Sequence, residues 1–179
     1  MLCYEPPVWN RANTLVPLLL YVGALVAFLG TPLVEIPLLL QLPGTAMLVV
    51  AIMLTARYSL SSRCYLLSAA TAEQPGVLTV EQVQGTRCRT LCELPLTEVA
   101  EVVPHQKKKA FRTAHGKVSA YQDARRNLTP ALCYDLICKT EDTVSVLVLE
   151  CSEEFAAELS RRIQQEKTAT ADKNEGETE

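Results

Sequence analysis

Histidine is scarce: the chain has only His105 and His115. Neither lies in a pattern that supplies a nucleophile or an orienting carboxylate, so no Ser/Cys–His catalytic signature is present. Glycine is scarce as well, and His115-Gly116-Lys117 lacks the glycine-rich lead-in of a phosphate loop. Seven cysteines are many for 179 residues, yet none shows the two-residue spacing common at zinc knuckles and redox sites. Cys88 and Cys92 are separated by three residues and Cys133 and Cys138 by four. On a strand the latter pair would fall on opposite faces, which disfavours a shared metal. With Cys3, Cys64 and Cys151 the count is odd, and free thiols packed as small hydrophobes are expected. Positive charge is not in excess either: the formal net charge is −3, which argues against a nucleic-acid polycation. The length leaves no room for a two-domain soluble enzyme. The expectation is a non-enzymatic chain with no catalytic residue, cofactor, metal or small-molecule substrate.

What is abundant is apolar residue, at 49%, and it is concentrated. The 40 residues 15–54 contain a single charge, Glu35, and runs 15–29 and 36–54 hold 13 of 15 and 14 of 19 hydrophobic residues. A bilayer core about 30 Å thick needs roughly 20 such residues in a helix rising about 1.5 Å per residue. Two transmembrane helices are therefore predicted at about 12–29 and 36–54, joined by the turn Gly30-Thr31-Pro32-Leu33-Val34-Glu35. Arg11 flanks the first, Arg57 and Arg63 flank the second, and the turn carries no cation. The positive-inside rule then places both termini of a two-pass cell-membrane protein in the cytoplasm. Gly23 and Ala27 share one face of the first helix and, with Gly44 on the second, are the expected helix-packing residues. Neither span contains an ionisable residue, which argues against a transporter pathway.

Beyond Arg57 the pattern changes to short β-type segments with turn residues between them. Strands are predicted at 63–69, 77–84, 86–94, 97–103, 117–122, 131–140 and 143–150. Gln84-Gly85 and Glu141-Asp142 supply tight turns. Ser152 then reads as a helix N-cap, with Glu153 and Glu154 at the positive end of the dipole. Phe155, Leu159 and Ile163 form an apolar stripe, and Glu158 and Arg162 are spaced to pair. Residues 166–179 lack any large apolar side chain and are expected to be a disordered acidic tail. The expected division is 1–57 hairpin, 58–165 soluble domain and 166–179 tail.

A membrane hairpin followed by strands and one amphipathic helix resembles the bacterial PH-like (pleckstrin-homology-like) membrane proteins. The likeness is carried by Leu91-Cys92-Glu93-Leu94-Pro95-Leu96-Thr97-Glu98-Val99, by Tyr134-Asp135-Leu136-Ile137, and by the run from Leu147 to Phe155. The resemblance implies a membrane α-helical hairpin plus an all-β barrel or roll closed by a C-terminal α-helix. It implies no catalytic residues, and no phosphoinositide motif lies between the first two strands.

The one pronounced charge feature is residues 105–126, where Lys107, Lys108, Lys109, Arg112, Lys117, Arg125 and Arg126 face a single acid, Asp123. Residues 127–179 hold 12 acids against five bases. The basic stretch is the candidate contact for anionic membrane lipid or for a protein partner. Phe111 and Tyr121 could serve as nucleic-acid stacking groups, but the acidity of the whole chain argues against that partner. An accessory subunit of a membrane transport, secretion or envelope-stress complex, acting through its hairpin, is the alternative. Asn127-Leu128-Thr129 matches the glycosylation pattern but would face the cytoplasm unused.

Overall fold

The computed structural model describes residues 2–7, 10–33, 37–71, 74–106, 111, 116–140 and 143–176. Two compact units emerge. One comprises Met1–Pro6, Arg63–Arg126 and Pro130–Glu179, and the other Pro7–Ser62 with Asn127–Thr129. The chain therefore leaves the first unit and returns to it twice, where the sequence pattern suggested a simple succession.

In the helical unit, α1 (Arg11–Gly30) leads through a 3-10 turn, Thr31–Leu33, to α2 (Leu38–Leu54) and a π-helical turn, Thr55–Ser59. Asn10 caps α1, its side-chain oxygen accepting from the Ala12 amide at 2.9 Å. Pro17 lies inside α1, and its missing N–H leaves the Asn13 carbonyl without its helical donor. The Ser59 hydroxyl supplies the replacement at 2.9 Å. The Asn13 side chain donates to Asn127 Oδ1 at 2.7 Å and accepts from the Leu128 amide at 2.9 Å. Asn127 in turn donates to the Pro7 carbonyl at 3.1 Å, and Thr129 bonds the Asn10 side chain. The Asn-Leu-Thr triplet thus fastens the start of α1; with Asn127 only 3% exposed, its amide is committed on either side of a membrane.

The β-rich unit contains β1 (Leu2–Tyr4), β2 (Ser62–Leu67), β3 (Val77–Gln84), β4 (Arg87–Pro95), β5 (Val99–Pro104), β6 (Val118–Asp123), β7 (Tyr134–Thr140) and β8 (Thr143–Leu149), closed by α3 (Glu153–Gly176). Two four-stranded sheets run in the order β1-β2-β3-β4 and β5-β7-β8-β6. The pairs β1/β2, β3/β4, β5/β7 and β7/β8 are antiparallel, and β6/β8 is parallel. Each of the seven expected strands is present, with its ends close to those read from the sequence. The fourth starts late because Leu96–Glu98 forms a 3-10 turn, and the sixth because residues 131–133 are irregular. Gly85, at φ +59°, turns β3 into β4 in a conformation that strains any L side chain. Glu141-Asp142 lies outside the described residues, between Thr140 and Thr143, which pair across the strands.

β8 is apolar on both faces because both are covered. Leu147 and Leu149 join Tyr65, Leu67, Leu78, Val80, Leu96, Val99 and Leu136 in the main core, while Val146 and Val148 pack with Ile137 and Phe111 on the other side. Phe111, 5% exposed, is therefore a core residue and no stacking platform; Tyr121 is exposed.

The stripe Phe155, Leu159 and Ile163 enters the main core as expected. Ser152 Oγ accepts from the Phe155 amide at 3.3 Å, and Tyr4 stacks on Phe155 with ring centroids 4.6 Å apart. The tail departs from expectation: α3 continues to Gly176, past Gln165. Its continuation is docked by polar contacts in place of apolar ones. Glu166 accepts from the Gly76 amide at 3.1 Å, and Lys167 donates to the Ala100 carbonyl at 2.7 Å.

Tyr65 is fully buried; its hydroxyl donates to the Ala124 carbonyl at 3.0 Å and accepts from the Glu150 amide at 3.2 Å. Tyr65→Phe leaves both backbone groups unsatisfied, at about 1–3 kcal/mol. The expected result is a lowered Tm of the detergent-solubilised chain with unchanged far-UV circular dichroism.

Candidate functional site

The helix pair is built around small residues. A Cβ added at Gly44 would lie 3.1 Å from Ala27 Cβ, and one at Gly23 would lie 3.2 Å from Met47 Sδ. Ala24 and Ala51 are buried, whereas Leu19, Val26, Leu29, Leu39, Leu42 and Met53 are more than 60% exposed. Large apolar side chains outside and small ones inside reverse the order of a water-soluble helix pair. The segments Arg11–Leu33 and Leu38–Ser59 are long and apolar enough to span a membrane. The structure thus brings Gly23, Ala27 and Gly44 into one seam between α1 and α2.

The basic stretch is less uniform than its composition. Lys107, Lys108, Lys109, Arg112 and His115 lie outside the described residues. Lys117 is exposed just before β6. Arg125 grips Asp123 through Nε at 2.8 Å and Nη2 at 2.7 Å, and this carboxylate pushes the guanidinium pKa further up. Arg126 is buried; its amide donates to Glu150 Oε2 at 3.1 Å, and its Nη1 donates to Glu5 Oε1 at 3.1 Å and to the Pro6 carbonyl at 2.7 Å. Arg126 is consequently a strut that ties the N-terminal segment to the β-rich unit, not a surface cation.

His105 has an orienting carboxylate after all. Its Nδ1 lies 2.6 Å from Asp135 Oδ1, and Asp135 is only 2% exposed. The register of β5 on β7 pairs Val103 with Asp135, and the His105 amide extends that ladder to the Cys133 carbonyl at 2.9 Å. Thirty residues separate the partners in sequence, so only knowledge of the strand register could have revealed them. Nearby Cys133 is held as a thiol, its pKa pushed up to about 11 chiefly by burial. A thiol so held is a poor nucleophile at neutral pH.

A cavity of about 390 Å³ lies where the segment after β2 meets α3, lined among others by Ser68, Leu96, Arg161, Arg162 and Glu166. Both arginines bind Glu158, while Arg162 Nη1 is buried without a hydrogen-bond partner among the described residues. Glu158 is bound by Arg161 at 2.8 and 2.9 Å and by Arg162 at 2.8 Å, which holds its carboxyl down at about 2. Among the described residues no group of three His, Cys, Asp or Glu side chains could hold a metal ion.

Two substitutions separate the roles of the seam glycines. Gly44→Ala must displace Ala27 and is expected to cost about 1–3 kcal/mol as overpacking, whereas Gly23→Ala meets only the flexible end of Met47 and costs less. Thermal denaturation in detergent should rank them in that order. His105→Ala removes the hydrogen-bond partner of the buried Asp135 carboxyl group, at about 1–3 kcal/mol, and Asp135→Asn in the same chain should recover part of the loss. A double-mutant cycle followed by thermal melts measures this coupling; independent, additive effects would refute it.

Compared with known proteins, the chain matches no family model, no curated protein and no solved structure.

Proposed function

We propose that the chain is a non-enzymatic, two-pass membrane protein whose β-rich unit is a PH-like interaction module at the cytoplasmic face, binding anionic lipid headgroups or a protein partner. The observation that carries this reading is the inverted packing of α1 and α2, with large apolar side chains outward and small ones between. Water would penalise that surface heavily, and hydrocarbon accepts it.

The pairing of β1 with β2 supports the topology. β1 precedes the hairpin and β2 comes after it, yet Cys3 pairs with Leu66 and Tyr4 with Tyr65 in one sheet. This pairing supports a topology in which both flanks of the hairpin lie on the same side of a bilayer, as two crossings require. Arg11, Arg57 and Arg63 favour the cytoplasm for that side. Two sheets closed by a helix suit a scaffold that presents loops and edges. Arg125 and Arg126 are paired with carboxylates, so the lipid reading rests on Lys107, Lys108, Lys109, Arg112 and Lys117 of the basic stretch.

The alternative, an accessory subunit working through the small-residue face of its hairpin, loses support because Gly23 and Ala27 already face α2. An outward partner contact would have to use the large side chains instead.

Each cation near an anionic surface contributes about 1 kcal/mol, so reversing Lys107, Lys108 and Lys109 to Glu should weaken binding by at least about a hundredfold. The measurement is binding of phosphatidylserine-containing vesicles to the full chain held in neutral-lipid nanodiscs, repeated at rising salt. Binding that ignores both salt and the triple substitution would overturn the lipid reading and leave the partner protein.

A further inference from the structure

We propose that Cys3 and Cys64 form a redox modification site, a dithiol that closes to an intramolecular disulfide by exchange with a low-molecular-weight disulfide such as oxidised glutathione. Their sulfurs are 2.9 Å apart. That is inside the roughly 3.5–4 Å at which non-bonded heavy atoms rest, and less than about 1 Å from the bonded length of about 2.05 Å. The geometry is a product of the sheet. In the antiparallel pairing Cys3 lies opposite Leu66, so Cys64, two residues along β2, is its diagonal neighbour on the same face. Leu2, Tyr4, Tyr65 and Leu67 point to the other face, into or against the core. The thiol pair is thus held by two paired strands whose alternate residues are anchored, while Cys3 itself is exposed to solvent.

The two sulfurs have distinct parts. Burial first, and then the adjoining Cys3 thiol, push the Cys64 thiol up to about 12. Cys3, the exposed member, is the attacking group. Its thiolate attacks one sulfur of the incoming disulfide, forming a mixed disulfide and releasing one thiolate. Cys64, raised as it is, then attacks the Cys3 sulfur, because the step is intramolecular between sulfurs already in contact and the Cys3 thiol that helped raise it has been consumed. The second small thiolate leaves and takes up the proton that Cys64 gives up. The balance is two protein thiols and one small disulfide converted to one protein disulfide and two small thiols. Reversal needs only excess reduced thiol, the character of an exposed disulfide in a reducing compartment.

The ring so closed runs from Cys3 to Cys64 and contains both apolar helices. Oxidation would tie together covalently the two strands, β1 and β2, that flank the hairpin in the chain.

The test is peptide mapping by mass spectrometry of the full chain in nanodiscs after incubation with oxidised glutathione. The expected product is a Cys3–Cys64 cross-linked peptide, lighter by two hydrogens than the two reduced peptides and lost on dithiothreitol treatment. In Cys64→Ser the second step is blocked, so one glutathionyl group should remain on Cys3. That outcome also shows that the reagent reaches the site. A glutathionyl group persisting on Cys3 of the unaltered chain, or both thiols remaining free in it, would overturn the proposal. So would a Cys64→Ser chain that takes up no glutathione at Cys3.

Discussion

Helices long and apolar enough to span a membrane must complete their backbone hydrogen bonds internally, and that constraint shapes the helical unit. Pro17 breaks the α1 ladder, and the freed Asn13 carbonyl is taken by Ser59 from the turn that ends α2. Asn10 and Asn13 satisfy the start of α1 and bind residues 127–129 with their remaining groups. Inside the pair the same constraint favours close approach of backbones, and Gly44 against Ala24 and Ala27 provides it. Most of the polar groups cluster where α1 begins and α2 ends; in the helix middles Tyr21 reaches the Thr55 hydroxyl at 3.3 Å and Thr45 bonds the Gln41 carbonyl at 2.8 Å, and the rest is van der Waals packing.

The β-rich unit handles its polar groups differently, by burying them in pairs. Asp135 is covered but held by His105, Glu150 accepts from the Arg126 amide, and Arg126 reaches Glu5 and Pro6. Each is satisfied only when segments distant in sequence have come together. Such pairs contribute little net stability over apolar residues of the same shape, but removing one member is costly. They fix the arrangement more than they strengthen it, with the strength coming from the core around Tyr65, Leu136, Leu149 and Leu159.

Where periodicity is local, the sequence was a faithful guide. The alternation in β8, the four-residue stripe of α3 and the two apolar spans each state their own structure within a few turns or residues. Features that rest on long-range pairing were hidden. β1 is three residues long, too short for a visible alternation, and its partner lies beyond the hairpin. Asp135 meets His105 only through strand register, and Arg126 reads as one more cation in a basic run until Glu5 is brought beside it. The continuation of α3 was concealed for another reason: Glu166 and Lys167 dock by hydrogen bonds to backbone, which leave no hydropathy signal. Phe111 looked like an aromatic set among lysines, and it is instead the cap of the smaller apolar cluster.

The placement of β1 ahead of the hairpin has a consequence for biogenesis. A ribosome that has made Leu2–Tyr4 must still produce both apolar helices before β2 exists to receive that strand. At about 5–20 residues per second the wait lasts several seconds, during which the amino terminus has no template to pair with. Synthesis of both apolar helices therefore precedes completion of the first sheet. The order of assembly is written into the chain: both helices first, and only then the union of β1 with a partner made after them.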